Sequence, residues 1–194
     1  MSSAMADAMV QTLREPRAAA RRVLGWRLGW PEILLVLATA LAIRLLVATG
    51  RAAFLGRMDG RVLVADVQTL EITAILVAQV VISIWLVLVI GRFFGGKGSA
   101  VTVAAALGWV DLVAAVLELV TTSIGLVLPG ALAMLLMVAL VIWYVWAFFS
   151  FVAVVHDFPN TATVLMVGMG ITVMIAMGLA VVIVLAGYRL PGAP

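Results

Sequence analysis

Five runs of apolar residues, each close to the thickness of a bilayer when helical, alternate with short segments punctuated by Gly, Pro, Asn and Asp. A helix rises about 1.5 Å per residue, so roughly 20 residues cross a hydrocarbon core of about 30 Å. Runs at 32–50, 69–90, 100–124, 131–155 and 162–187 meet or approach that length. The stretches Gly50 to Thr69, Gly91 to Ser99, Gly125 to Gly130 and His156 to Thr163 read as connections. Strand-like alternation is absent, which argues against a membrane β-barrel. The pattern therefore predicts an all-α, polytopic integral membrane protein: a bundle of five transmembrane helices over 31–190, preceded by a basic arm over 1–30.

The arm has its own pattern. From Ala4 to Leu24 it is rich in Ala, Met, Leu and Arg, with Pro16 as the one interruption, and this predicts a short amphipathic helix. Met5, Met9 and Leu13 share one face, while Arg14, Arg17 and Arg21 line up at i, i+3 and i+4 spacing. Together with Arg22, Arg92 and Lys97 they are candidate contacts for anionic lipid head groups, each contributing on the order of 1 kcal/mol near the surface. Docking of a cytoplasmic partner is the sharper alternative.

Composition narrows the class. The chain is 66% hydrophobic and 11% charged with a mean hydropathy of +1.29, against about 45–50% apolar and 25% charged in soluble domains. A net charge of +3 and a pI near 10.2 point to lipid head groups rather than nucleic acid, because the basic residues flank apolar spans. Zero cysteines and one histidine leave no thiolate nucleophile, disulfide or His-rich metal site, so no cofactor or metal is expected. The arginines precede the first apolar run, unlike a cleaved signal peptide.

Basic residues favour the cytoplasmic side. Placing the N-terminus there puts the arm arginines, Arg92 and Lys97 inside, against Arg51, Arg57, Arg61 and Arg189 outside, and Trp26, Trp30, Trp85 and Trp146 near the inner interface. The expected address is a bacterial inner membrane with the C-terminus in the periplasm.

Ionisable residues inside spans are costly and need partners. Counting from Glu32, Arg44 lies about 18 Å deep, and Asp111 lies about equally deep from Ser99. Depth thus permits an Arg44–Asp111 pair. Glu118 follows Asp111 by seven residues on nearly the same helical face, and Glu71 falls near the far interface. Arg44, Asp111 and Glu118 could form a proton or ion path; alternatively Arg44 and Asp111 are a buried pair that fixes which helices pack together, with Glu118 and Glu71 reaching interfacial water. Polar lining is scarce, Gln79 being the one Asn or Gln deep in a span, and that favours the packing role.

Other motifs lose to simpler explanations. Gly91-Arg92-Phe93-Phe94-Gly95-Gly96-Lys97-Gly98-Ser99 resembles a phosphate loop but has Gly98 between Lys97 and Ser99 and follows an apolar helix rather than a strand. His156-Asp157 lacks a partner nucleophile and reads as a polar turn before Pro159 and Asn160. Gly168, Thr172, Ala176 and Ala180 form a small-residue stripe for helix packing or self-association, with Met166, Met169, Met174 and Met177 as gap-fillers. The aromatic run Trp143 to Phe149 suits bundle packing and an interfacial belt.

The arm Glu15-Pro16-Arg17-Ala18-Ala19-Ala20-Arg21-Arg22-Val23-Leu24, the loop Gly95-Gly96-Lys97-Gly98-Ser99 opening a helix, and Phe148, His156 and Phe158 at the end of the fourth span carry a resemblance to bacterial members of the Yip-one family. These are the Ypt/Rab-interacting membrane proteins. The resemblance covers nearly the whole chain through its five-span plan. It implies a non-enzymatic membrane organiser with a cytoplasmic N-terminus. The Asp-Leu-Tyr-Gly-Pro signature of the eukaryotic branch is missing, so GTPase binding is not carried over. The expected role is a scaffold, assembly factor or accessory subunit that contacts lipid and other membrane proteins. A small transporter or channel using Arg44, Asp111 and Glu118 is the alternative.

Overall fold

A computed structural model describes residues 2–58 and 65–185. It contains α1 (Ser2–Arg14), α2 (Pro16–Gly25), α3 (Trp30–Met58), α4 (Ala65–Phe93), α5 (Ala100–Gly125), α6 (Gly130–Val155) and α7 (Thr161–Leu185). The last five are each long and apolar enough to span a membrane. Arg61, Arg189 and the predicted end of the fifth span at 187 lie outside the described residues.

Local chemistry sets most boundaries. The arm is two helices rather than one, broken at Glu15 (φ −140°, ψ 68°). Proline disfavours α geometry in the residue before it, yet suits the first turn of the next helix. Ser99 caps α5: its hydroxyl accepts from the Thr102 N–H at 3.2 Å, and the Thr102 hydroxyl accepts from the Ser99 N–H at 2.9 Å. Asn160 caps α7 by accepting from the Ala162 N–H at 2.8 Å. The predicted connection from Gly50 to Thr69 is largely helical, with α3 reaching Met58 and α4 starting at Ala65. Helix formers such as Arg51, Ala52 and Ala53 follow Gly50, and leaving hydrocarbon does not by itself end a helix.

The bundle is built around α5, whose Val103–Val110 and Leu112–Ala115 are buried. Its small residues let neighbours approach, as where Leu37 of α3 lies over Gly108. Helix α3 packs along one side of α5 and α6 along the other, while α4 touches α3 and α5, and α7 rests on α6. Helix α6 is buried only in its second half, around Ala147 and Ser150–Ala153.

The arm adds to that burial by folding onto the bundle beside α5. Ala8 and Thr12 of α1, and Pro16, Ala19, Ala20 and Val23 of α2, are buried against α5 and α6. The Trp109 indole N–H donates to the Thr12 hydroxyl at 3.0 Å, which itself donates to the Ala8 carbonyl at 2.7 Å. Trp26 meets the Trp109 ring edge-on at 5.2 Å. The arm thus marks one end of the molecule, the arm face.

Two packing expectations change. Met166, Met169, Met174 and Met177 point outward, from 44% to 73% exposed, because α7 touches the bundle along one narrow side. In the small-residue stripe, Gly168 packs against the Phe149 ring. Thr172 and Ala180 are exposed, and the Ala176 side chain lies outside the described residues.

Candidate functional site

Two polar clusters interrupt this apolar scaffold. The deeper one joins α3, α5 and α6. Arg44 Nη2 donates to Asp111 Oδ1 at 3.1 Å, and the Tyr144 hydroxyl donates to the same oxygen at 3.1 Å. Burying a carboxylate is tolerable only with compensating donors, and here three helices supply the acceptor and its two donors. Arg44 and Asp111 side chains are 23% and 16% exposed. A cavity of about 30 Å³ beside them is lined by Gln79 and Ser83 of α4 as well as the triad. That volume has room for a water or two. Glu118 and Glu71 join no ion pair among the described residues, and Glu71 is exposed. Seven residues of spacing gave Glu118 the right face but placed it beyond reach of the pair.

The second cluster sits at the arm face, where the α4–α5 and α6–α7 connections interlock. Helix α4 ends in a Schellman turn: Gly96 N–H bonds the Gly91 carbonyl at 2.8 Å, Gly95 N–H bonds Arg92 at 2.9 Å, and Gly95 takes φ +82°. Helix α6 ends the same way, with Phe158 N–H on Ala153 at 2.8 Å, Asp157 N–H on Val154 at 3.2 Å, and Asp157 at φ +61°. Only one of these turns uses glycine at the left-handed position.

His156, 1% exposed, fills the space between them. Side chains at Gly91, Gly96 or Gly98 would each collide with its ring. The Gly98 N–H donates to Nδ1 at 3.3 Å, so the neutral ring carries its proton on Nε2. Lys97 N–H donates to the His156 carbonyl at 3.3 Å, and Lys97 Nζ pairs with Asp157 at 2.8 Å in full solvent. The His156 ring stacks on Phe158 at 5.7 Å. Arg17 of α2 ties the arm to this lock, donating to the Phe158 carbonyl at 2.7 Å and the Thr161 hydroxyl at 3.2 Å.

Arg17 thus spends both terminal nitrogens on protein atoms, because α2 lies against α6. Arg14, Arg21 and Arg22 of the arm remain exposed, as do Arg92 and Lys97. Sequence reasoning placed His156 in a bland turn and the glycine loop in another. Three glycines with the only histidine was the signal, and only the fold puts them within contact. Tyr144 and the Thr12–Trp109 bond were also missed, having no charge to draw attention.

Burial lowers the His156 pKa below its usual range, the nearby Val87 carbonyl opposes this, and the Arg92 charge lowers it further. Of the other charged groups at the lock, Lys97 and Asp157 neutralise one another, and Arg17 is held by the Phe158 carbonyl and the Thr161 hydroxyl. The folded state thus holds His156 neutral, whereas the unfolded chain gains a proton near pH 6.5. Stability is expected to be complete above about pH 6.5 and to decline as pH falls toward the depressed folded value. Thermal unfolding of purified protein at stepped pH should show this decline, and His156→Asn should flatten it.

Among comparisons with known proteins, the family model described as the Yip1 domain matches residues 10–183. No curated protein and no solved structure gives a significant match.

Proposed function

Since the chain belongs to the Yip1 domain family, a set of multi-span membrane proteins, we propose that it acts without catalysis as a scaffold, assembly factor or accessory subunit of a membrane complex. The proposed setting is a bacterial inner membrane with the arm face cytoplasmic and the C-terminus periplasmic, in keeping with the excess of basic residues on the arm face.

The observation that carries this reading is the closed state of the deep cluster. Arg44 and Tyr144 both bond the Asp111 carboxylate, the buried Arg44 Nε is left without a partner, and the adjoining space has room for a water or two rather than a file of waters. Meanwhile α4 and α7 lie at the edge of the bundle with long apolar faces uncovered, including Ile75, Val81 and Trp85 on α4 and Met166, Val173 and Val182 on α7. Such faces suit lateral contact with other membrane helices or a second copy, and the exposed Arg14, Arg21, Arg22, Arg92 and Lys97 suit anionic head groups.

Affinity purification of the full chain from its native membrane in mild detergent tests the proposal. The expected result is a membrane protein, or a second copy, in fixed stoichiometry across repeated preparations. A solitary chain that conducts protons when reconstituted in vesicles, and stops when Asp111 becomes Asn, would overturn it.

A further inference from the structure

A further cavity opens beside both polar clusters, sharing Ser83 and Phe148 with the space at the deep cluster and Gly91 and Phe158 with the lock. It is a crevice of about 470 Å³ between α4 and α7, floored by α6 and half-open to the side. Sites for small ligands run to about 300–1,000 Å³, and nothing in the scaffold role requires this one. Its wall is almost wholly apolar, with Leu86, Ile90, Val164, Val167 and Ile171 facing one another.

Length identifies the occupant. On α4 the crevice runs from Ser83 to Gly91, with Phe94 just beyond the helix end, and on α7 from Thr163 to Ile175, or about 12 and 18 Å along the helices. Half of a hydrocarbon core is about 15 Å. A partner's transmembrane helix would need a groove twice as long, whereas an acyl chain of one leaflet needs this length. The crevice also begins at the arm face, beside Pro159 and Asn160.

Charge at that mouth is complementary to a phosphate. It is the N-terminal end of α7, where helix geometry presents positive potential. Arg17 lies alongside, bonded to Phe158 and Thr161, and its charge has no carboxylate paired to it among the described residues. Asn160 uses its Oδ1 as a cap and leaves its amide N–H groups available.

We propose that the α4–α7 crevice holds one acyl chain of an anionic phospholipid from the arm-side leaflet, its phosphate resting at the start of α7 near Arg17. The lipid completes a wall that α4 and α7, which barely meet, leave open. Shape comes from the protein's apolar faces, and head-group preference comes from the mouth.

The test reconstitutes the full chain in phosphatidylcholine vesicles doped with phosphatidylglycerol carrying a photoactivatable diazirine on one acyl chain. Labelled peptides are then mapped. Label is expected to concentrate on 83–94 and 163–175, and to fall about fivefold when the same diazirine chain is carried by phosphatidylcholine. Val167→Trp, which fills the crevice, should cut labelling there at least ~10-fold. Val173→Trp, on an exposed part of α7, should leave it unchanged. Ile171→Trp serves if Val167→Trp does not fold. Label spread evenly over all lipid-facing helices, or equal labelling in the filled variant, would overturn the proposal. So would a partner polypeptide crosslinked in the crevice in place of lipid.

Discussion

Asp111→Leu is expected to destabilise the bundle by about 3–5 kcal/mol, because the Arg44 guanidinium is left without its carboxylate among α3, α5 and α6. The cost is that of an uncompensated charge rather than the net value of the pair. Replacing both partners, Arg44→Met with Asp111→Leu, should therefore recover most of the loss, since apolar groups of similar volume need no counter-charge. Tyr144→Phe removes one of two donors to Asp111 Oδ1 and should cost about 0.6 kcal/mol, the average for hydrogen bonds between membrane helices, and no more than about 1.7 kcal/mol. Denaturant-driven unfolding of the four proteins in the same detergent gives these values directly. A double replacement as unstable as Asp111→Leu would show that the pair does more than neutralise itself. A proton path predicts a different pattern, in which Asp111→Asn folds well yet loses flux.

Gly91→Ala should destabilise by about 1–3 kcal/mol as an overpacking change, since its new methyl falls on the His156 ring and that ring is enclosed. In a His156→Ala background the same change should cost close to nothing. Gly96→Ala separates sterics against the ring from sterics against the backbone. Its methyl also meets the Gly91 carbonyl, 2.7 Å away, so removing His156 should not rescue it. Gly95→Ala touches nothing within 4 Å but sits at φ +82°, where a side chain costs about 1–2 kcal/mol. Thermal unfolding of the single and double variants measures the coupling. Equal costs for Gly91→Ala with and without His156 would mean that the lock is not steric.

The two clusters differed in how legible they were. The Arg44–Asp111 partnership could be anticipated because depth in a membrane is a count of residues, and buried charges have few permitted answers. The lock could not, because Gly91 and Gly98 each lie 58 or more positions from His156, across two spans, and the juxtaposition depends on which helices are neighbours. The arm shows the same division. Its helical character and its break at Pro16 follow from local stereochemistry, while its burial against Trp109 does not. Ala19, Ala20 and Val23 look no different from a face meant for lipid.

By itself the sequence determined the number of spans, their approximate ends, the basic bias of one face and the depth of the interior charges. Each depends on length, propensity or charge, which are properties of single segments. The tertiary structure decided that α5 is central, that α4 and α7 stand apart around a crevice, and that the arm seals α5 and α6. Lipid tails and protein interiors are equally apolar, so hydropathy cannot tell a core-facing residue from a lipid-facing one. Shape tells them apart instead: the small residues that admit α3 beside Gly108 and the glycines that admit His156.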